Sequence, residues 1–189
     1  MAMKHRNLKG IVTATVIFTA ICAPATAQTA DSTDEKALLA RLAEASAAEA
    51  PQLDRQLQAI WNRSGSPAMD FLLTRGRDAL ERGDTAAAIE HLTALTDHAP
   101  EFAEGWFLRA TAYYTAGLYG PALSDLERAL TINPNNYDAI FGLGTLLEAF
   151  GNPKLAFEAY GRALALNPHH EETIKAMDRL KPEVEGKAL

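Results

Sequence analysis

Residues 103–136 read AEGWFLRATAYYTAGLYGPALSDLERALTINPNN. In two runs of this stretch, apolar residues recur three and four positions apart, which is the spacing of an amphipathic helix. Gly117 separates the two runs, and Pro134 follows the second. Glycine closes helix C-termini because it adopts the left-handed conformation without a Cβ clash, and proline keeps the residue before it out of the helical region. The stretch therefore predicts a helix, a tight turn, a second helix and a stop.

The same unit occurs three times, 34 residues apart, with first helices predicted at 70–82, 104–116 and 138–150. The repeating columns are Gly83, Gly117 and Gly151; Ala88, Ala122 and Ala156; Pro100, Pro134 and Pro168; Gly76, Ala110 and Gly144; Leu92, Leu126 and Tyr160; and Leu95, Ala129 and Ala163. The in-phase alanines fall inside the second helices, where a small side chain lets two helices approach closely. Such units bury their apolar faces by stacking, so we divide this region into 69–102, 103–136 and 137–170.

The unit resembles the tetratricopeptide repeat, whose pattern runs Trp, Leu, Gly, Tyr, then Ala, an aromatic or Leu, Ala and Pro. The matching residues are Trp106, Ala110, Tyr113, Ala122, Leu126, Ala129 and Pro134 in the second unit; Ile140, Leu143, Gly144, Leu147, Ala156, Tyr160, Ala163 and Pro168 in the third; and Leu72, Gly76, Ala79, Ala88, Leu92, Leu95 and Pro100 in the first. The resemblance implies an all-α fold, a right-handed superhelical solenoid of helix-turn-helix units with capping helices. Arg109 stands where the family usually has Leu, so we expect it to pack by its stem or to pair across the groove.

The flanks of the repeats are predicted to be helical caps, because a solenoid exposes apolar faces at both ends. Amphipathic patterns at 34–48 and 52–61 predict an N-terminal helical pair within 34–68, a degenerate repeat or cap that packs on the first unit. At the other end, 171–181 is predicted to be a capping helix that Pro182 terminates, and 182–189 a tail. Residues 28–33 are expected to be a mobile tail.

Residues 1–27 have the parts of a secretory signal peptide in order. Lys4, Arg6 and Lys9 precede an apolar run at 11–23, and Ala25-Thr26-Ala27 supplies small residues at a cleavage site. We therefore predict cleavage before Gln28 and a periplasmic location, with an extracellular location as the alternative. An uncleaved anchor is disfavoured because the apolar run is shorter than the roughly 20 residues that span a bilayer. A lipid-modified Cys22 is disfavoured because Ile21 stands where lipoprotein signals have a small residue.

The charge and the cysteine content exclude several classes of function. The chain has 189 residues, with 18 Lys and Arg against 24 Asp and Glu and a net charge of −6. Cleavage would remove three bases and no acid, which leaves 24 acids, 15 bases and a net charge of −9. Nucleic-acid binding needs a concentrated basic surface, so we expect no nucleic-acid partner. The mature chain would contain no cysteine, hence no disulfide, no thiol nucleophile and no Cys-rich zinc site.

The remaining polar motifs do not form a recognisable catalytic or metal site. Gly142-Leu143-Gly144 follows no strand, and Ser64-Gly65-Ser66 lacks the spacing of a nucleophile elbow. His169-His170-Glu171-Glu172 contains metal-ligating residue types, but adjacent residues rarely converge on one ion, so we expect a solvated turn before a helix N-terminus. We predict a protein that is not an enzyme and that needs no metal or cofactor.

The family resemblance places a binding groove along the first helices of the repeats. The residues that it assigns to the concave face are Leu73, Arg77, Glu81, Phe107, Thr111, Tyr114, Thr115, Phe141, Thr145 and Glu148. Phe107, Tyr114 and Phe141 are the expected anchors because aromatic side chains bury large areas at interfaces, although each of them could instead fill the seam between repeats. Trp106 and Tyr113 are expected in the core.

Some family members bind a C-terminal carboxylate through Lys, Asn and Arg at fixed groove positions. Those positions carry Leu73, Arg77, Leu108, Asp138 and Gly142 here, so we expect no such clamp.

Three hypotheses of function follow. The favoured one is a cell-envelope interaction module that binds a peptide or another envelope protein as a scaffold or assembly factor, without a stable membrane anchor after cleavage. The alternative is a structural homo-oligomer assembled through the solenoid ends or the N-terminal helices. A cell-wall accessory enzyme is the third.

Overall fold

The computed structural model describes residues 26–186, and the side chains of residues 34–186. The expected signal peptide therefore lies outside the described residues except for its last two. Within this part of the chain there are nine α-helices and no β-strand. They are α1 (Thr26–Ala43), α2 (Ala50–Trp61), α3 (Pro67–Glu81), α4 (Thr85–His98), α5 (Ala103–Thr115), α6 (Tyr119–Ile132), α7 (Tyr137–Ala149), α8 (Pro153–Leu166) and α9 (Glu171–Gly186).

The three repeats are the antiparallel pairs α3–α4, α5–α6 and α7–α8, as the sequence predicts. Each first helix ends at the expected glycine: Gly83, Gly117 and Gly151 have φ of 74–75°. In the second repeat the Gly117 N–H donates to the Tyr114 carbonyl at 2.9 Å, and the Leu118 N–H donates to the Tyr113 carbonyl at 2.8 Å. This pair of bonds is the Schellman motif, which satisfies carbonyls that the helix leaves free.

Small residues bring the two helices of each repeat together. The in-phase alanines Ala88, Ala122 and Ala156 are fully buried. A Cβ atom added at Gly144 would lie 2.4 Å from the Tyr160 ring, so this position of α7 has no room for a side chain. The helices of a pair therefore pack with their backbones close, which fixes the direction of the face that α5 and α7 present to solvent.

The N-terminal helices pack on the third repeat, not on the first as the sequence suggested. We call α1 and α2 together the N-terminal hairpin. Its apolar face forms one hydrophobic cluster with Tyr137, Ile140, Ala159 and Ala163 of α7 and α8. Trp61 contacts Tyr137 edge-on at 5.1 Å between ring centroids. The physical reason is that Tyr137, Ile140, Ala159 and Ala163 form an apolar surface that the leucines and Trp61 of α1 and α2 bury. The expected tail at 28–33 is also corrected, because α1 begins at Thr26.

Polar contacts fix the position of the N-terminal hairpin. The Gln58 side-chain amide donates to Asp138 at 2.7 Å, and the Tyr137 hydroxyl donates to Asp54. At the opposite end of the hairpin, His169 Nε2 donates to the Ala45 carbonyl at 2.7 Å, since a carbonyl oxygen only accepts. The hairpin thus spans one edge of the solenoid beside the first turn of α7.

The C-terminal helix caps the third repeat, and it is longer than predicted. Its apolar residues Ala176 and Leu180 pack with Ala156 and Tyr160 of α8. Pro182 does not terminate α9, which continues to Gly186. Proline at this exposed position removes one backbone donor, and water can satisfy the carbonyl that loses its partner. No helix of residues 26–186 combines the length and apolar character needed to cross a membrane.

Candidate binding groove

A cavity of about 450 Å³ lies on the concave face between the second and third repeats. Its lining residues recur at helical spacing on α5 and α7, so one face of each helix forms a wall. The residues are Phe107, Ala110, Thr111 and Tyr114 of α5; Leu126 of α6; Asp138, Phe141, Gly142, Thr145 and Leu146 of α7; and His170 and Glu172 at the start of α9. We call this space the groove cavity.

The three expected aromatic anchors all line the groove cavity. Phe107 and Phe141 are half-buried and Tyr114 is exposed. Phe141 is held between the rings of Tyr160 and His170, each at 5.4 Å between centroids. Tyr160 of α8 and His170, just before α9, therefore fix the orientation of this ring, which remains open on its groove side.

The threonine hydroxyls do not make the groove cavity polar. Thr111 Oγ1 donates to the Phe107 carbonyl one turn earlier, and Thr145 Oγ1 donates to the Phe141 carbonyl, both at 3.1 Å. Because these hydroxyls are satisfied by their own helices, the wall is chiefly apolar carbon. Apolar walls with a few polar groups at one end are typical of ligand and peptide sites.

The polar end of the groove cavity is acidic. His170 Nε2 lies 3.0 Å from Asp138 Oδ1 and 3.7 Å from Glu172 Oε2. Burial alone would lower the pKa of His170, but the hydrogen bond and negative charge of Asp138 outweigh it and raise the pKa. The side chain of Glu172 is 65% exposed, so its carboxylate faces solvent at the mouth. The expected turn before a helix N-terminus is present, and the exposed acids Glu171 and Glu172 lie in the first turn of α9. The expected solvation is wrong for His169 and His170, because both are half-buried and bonded.

A buried carboxyl lies beside the acidic end. Glu104 is 4% exposed, accepts from Arg77 at 3.3 Å and from the Asn136 amide at 3.4 Å. Burial raises its pKa to about 7; the Arg77 charge opposes this shift and the Asp138 charge adds to it. At neutral pH this group is therefore poised between its two protonation states. No sequence pattern predicts this group, because its burial depends on the packing of α5 against α3 and the turn before α7.

Five of the predicted groove residues lie outside the groove cavity. Leu73 is a correction: it is 2% exposed and packs with Leu92 and Leu108 in the core between the first and second repeats. Glu81 and Thr115 are exposed on the same helices but do not reach the cavity.

The other two residues are engaged in polar contacts. Arg77 is bonded to Asn62 and Glu104, so its guanidinium ties the loop after α2 to α5. Glu148 accepts from Arg179 of α9 at 2.6 Å and from the Tyr160 hydroxyl. The hydrogen bonds from Arg179 lower the pKa of Glu148 despite its partial burial.

Arg109 does not pair across the groove. Its guanidinium makes a bidentate ion pair with Asp125 of α6 and donates to Thr96 Oγ1 of α4 at 2.8 Å. Its charge also lies over the rings of Trp106 and Tyr113, at 4.8 and 5.6 Å from their centroids. These two aromatic residues are half-buried, so they pack against the arginine and are not fully in the core.

No group of three or more possible metal ligands of the His, Cys, Asp or Glu type occurs among the described residues. The acidic end of the groove cavity therefore consists of ion pairs and hydrogen bonds between side chains. Its geometry suits recognition of a charged group on a ligand.

The fold and groove define a class of helical-repeat solenoid, and comparison with known proteins identifies the family. A model of the tetratricopeptide repeat matches residues 73–137 and 116–171, more than half of the chain. The chain belongs to the tetratricopeptide repeat family. The matching model describes a structural repeat and indicates no catalytic family.

The chain is similar to a TPR repeat-containing protein of Rhizobium etli, with 28% identity over 138 residues that cover 73% of this chain and 68% of the relative. Other curated relatives are matched over smaller shares, for example 27% of the bovine Protein SGT1 homolog at 31% identity.

Two solved structures show the same fold. The Sgt2 TPR domain from Aspergillus fumigatus has a TM-score of 0.60 and 26% identity, over 64% of this chain and 81% of that domain. The first TPR of Spaghetti (RPAP3), bound to the HSP90 peptide SRMEEVD, has a TM-score of 0.60 and 23% identity, over 64% of this chain and 95% of that one. The predicted all-α solenoid is confirmed.

Proposed function

We propose that this protein is a non-enzymatic interaction module that binds a segment of another protein along its concave face. The observation that carries the proposal is the groove cavity, where Phe107, Tyr114 and Phe141 leave aromatic surface open to solvent. Aromatic side chains in a concave, partly preformed site are the features that dominate peptide recognition. The RPAP3 domain of the same fold, bound to its HSP90 peptide, supports this mode of binding.

The chemistry of the groove distinguishes this partner from an acidic chaperone tail. Arg77 is the one residue at the expected clamp positions that could hold a carboxylate, and it is bonded to Glu104 at 3.3 Å. Asp138, at another of those positions, would repel a carboxylate. The groove therefore favours an apolar or amphipathic segment.

We further propose that the interaction takes place in the periplasm, as a scaffold or assembly step of the cell envelope. The support is the order of basic, apolar and small residues at 1–27, which lies outside the described residues except for its end. N-terminal sequencing of the protein purified from its native cells tests this proposal. We expect Gln28 as the first residue in the periplasmic fraction, and a chain that retains residues 1–27 in the cytoplasm would contradict it.

The binding proposal is tested by capture of partners from a detergent-solubilised envelope fraction with the chain from Gln28 onward. Thr111→Arg places a charge in the apolar wall at an exposed position of α5, so it should block the groove without disturbing the core. Thr131→Arg is the matched control, because Thr131 is also exposed and also bonds the carbonyl four residues earlier, on α6 away from the cavity.

We expect a partner that the wild type and Thr131→Arg capture and that Thr111→Arg loses. A second variant, Phe107→Ala with Tyr114→Ala and Phe141→Ala, should lose the same partner if circular dichroism shows that it is folded. Capture by all variants alike would place the binding surface elsewhere.

A homo-oligomer is the second candidate, and a specific surface favours it. Leu118, Tyr119, Phe150 and Leu155 are exposed at or near the turns of the second and third repeats, and Tyr119 contacts Phe150 edge-on at 6.3 Å between ring centroids. An apolar patch of this kind marks an association surface when its members are contiguous. Sedimentation at increasing concentration tests it: a larger species that Tyr119→Ser abolishes would favour self-assembly, and a monomer at all concentrations would exclude it.

A further inference from the structure

Gly142 is the one glycine among the described residues that line the groove cavity. A Cβ atom at this position would lie 3.5 Å from Leu126 and 3.8 Å from Phe107, which is ordinary van der Waals contact. Packing does not require glycine here, in contrast to Gly144 two residues later, where the Tyr160 ring leaves no space. We call the space over the bare backbone of Gly142, which lines the cavity together with Phe107 and Phe141, the slot, and that backbone its floor.

The size of the groove cavity suits large side chains. Its volume of about 450 Å³ falls in the range of roughly 300–1,000 Å³ that ligand sites occupy. The walls carry aromatic rings and aliphatic side chains whose nearby hydroxyls are already bonded, so a polar group in the slot would lose its hydrogen bonds to water without replacement. The slot therefore selects an apolar side chain.

One end of the groove cavity carries an excess of negative charge. Asp138 and Glu172 lie there with a single compensating group, His170, and none of the described residues that line the cavity is a lysine or arginine. Glu172 is 65% exposed and its contact with His170 is long, at 3.7 Å, so its carboxylate is available to a ligand. A positive group on a ligand that also occupies the slot would be attracted to this end.

We propose that the groove cavity binds a partner segment through one large apolar side chain in the slot over Gly142, with a lysine or arginine beside it that pairs with Glu172. This inference rests on the proposed function, since it names the chemistry of the segment that the groove takes. It predicts an apolar and basic motif, the opposite charge from the acidic peptide in the RPAP3 structure.

The probe is a library of random 12-residue peptides displayed on phage, selected on the chain from Gln28 onward. We expect enriched peptides to share a Phe, Leu, Ile, Met or Trp with a Lys or Arg within three positions. The affinity of a synthetic enriched peptide should fall as salt is raised, because an exposed ion pair is screened.

Gly142→Leu tests the slot. The leucine side chain would fill the space above the floor, so the peptide should bind at least about tenfold more weakly, as is typical when one buried anchor is lost. Gly142→Ala is the control for folding, because its methyl group fits and alanine favours a helix more than glycine does. Glu172→Lys tests the charge, and Glu158→Lys on the exposed face of α8 is its control with the same change in net charge.

The outcomes separate this inference from the proposed function. If peptides bind and Thr111→Arg abolishes binding while Gly142→Leu and Glu172→Lys leave it unchanged, the groove is correct and the motif is wrong. Enrichment of acidic peptides would also overturn the motif. If no peptide binds more tightly than about 1 mM, or the bound peptides are insensitive to every groove variant, both proposals fail.

Discussion

Arg109 shows how one side chain joins two repeats of this solenoid. Its Nε and Nη2 atoms donate to the two oxygens of Asp125 at 2.7 and 2.9 Å, and the side chains of the pair are only 12% and 7% exposed. The same guanidinium reaches Thr96 of the preceding repeat. The hydrogen bonds to Asp125 and its negative charge raise the pKa of Arg109 despite the partial burial of the guanidinium.

We predict that Arg109→Leu, which restores the usual residue of the family, destabilises the protein. The substitution leaves the buried carboxylate of Asp125 without a partner, which typically costs about 3–5 kcal/mol. Adding Asp125→Leu removes that charge and should recover most of the loss. The measurement is the free energy of unfolding in urea; a single variant as stable as the wild type would mean that the pair contributes little.

For individual residues, the sequence predicted the face of the helix on which a side chain lies better than it predicted whether that side chain is exposed. Phe107, Tyr114 and Phe141 line the groove cavity as the repeat register implied. The same register assigned Leu73 to the groove, but the structure buries this side chain in the core instead. A register fixes the direction in which a side chain leaves its helix, but its exposure depends on the neighbouring repeat that covers it.

At the scale of the element, the glycine turns set the geometry of each helix pair. Gly117 has a φ of 75° and donates one hydrogen bond of its Schellman motif, and Leu118 donates the other. A residue with a Cβ atom is strained in this conformation, and a β-branched residue most of all. The turn therefore depends on glycine even though open space surrounds it.

We expect Gly117→Val to lower the free energy of unfolding by about 1–3 kcal/mol, the usual cost of a non-glycine residue held in the left-handed region. Gly161→Ala is the control, in the interior of α8, where nothing lies within 4 Å of an added Cβ atom. That change should stabilise the helix by about 0.5–1 kcal/mol. The measurement is the melting temperature of both variants and of the wild type. A Gly117→Val variant that melts at the wild-type temperature would exclude a positive φ at Gly117.

The N-terminal hairpin shows what patterns in single elements leave open. Periodicity identified α1 and α2 as amphipathic and predicted the apolar residues that they bury. It did not identify the surface that they cover, because any apolar face would satisfy the same pattern. The choice of the third repeat depends on contacts between residues 80 or more positions apart, such as Tyr137 with Asp54 and Asp138 with Gln58.

For the molecule as a whole, the raised pKa values of Glu104 and His170 make the free energy of unfolding depend on pH. Burial raises the pKa of Glu104 from 4.5 to about 7, so the folded chain retains this proton at pH values where the unfolded chain has lost it. Stability therefore falls as the pH rises from about 4.5 to about 7. His170 acts in the same direction, since its raised pKa adds stability that is lost as the pH rises through that value. Glu148, with its lowered pKa, has the opposite effect only at more acidic pH.

We predict that the free energy of unfolding of the wild type decreases between about pH 5 and pH 8. Glu104→Gln should flatten most of this slope, because the amide keeps the shape of the side chain and has no proton to lose; Arg77 and Asp138, which face Glu104, remain in place. Glu158→Gln at an exposed position is the control. The same slope in all three proteins would show that Glu104 is ionised in the folded state.

The repeat is predictable from the amino-acid sequence alone, because glycine, alanine and proline each impose a local constraint that recurs every 34 residues. Helix boundaries, Schellman turns and the aromatic face of α5 and α7 followed from these constraints. The position of the N-terminal hairpin, the burial of Glu104 and the acidic end of the groove cavity depend on the tertiary structure. These features join residues from distant elements, and their burial and charge arise only when packing removes water from between them.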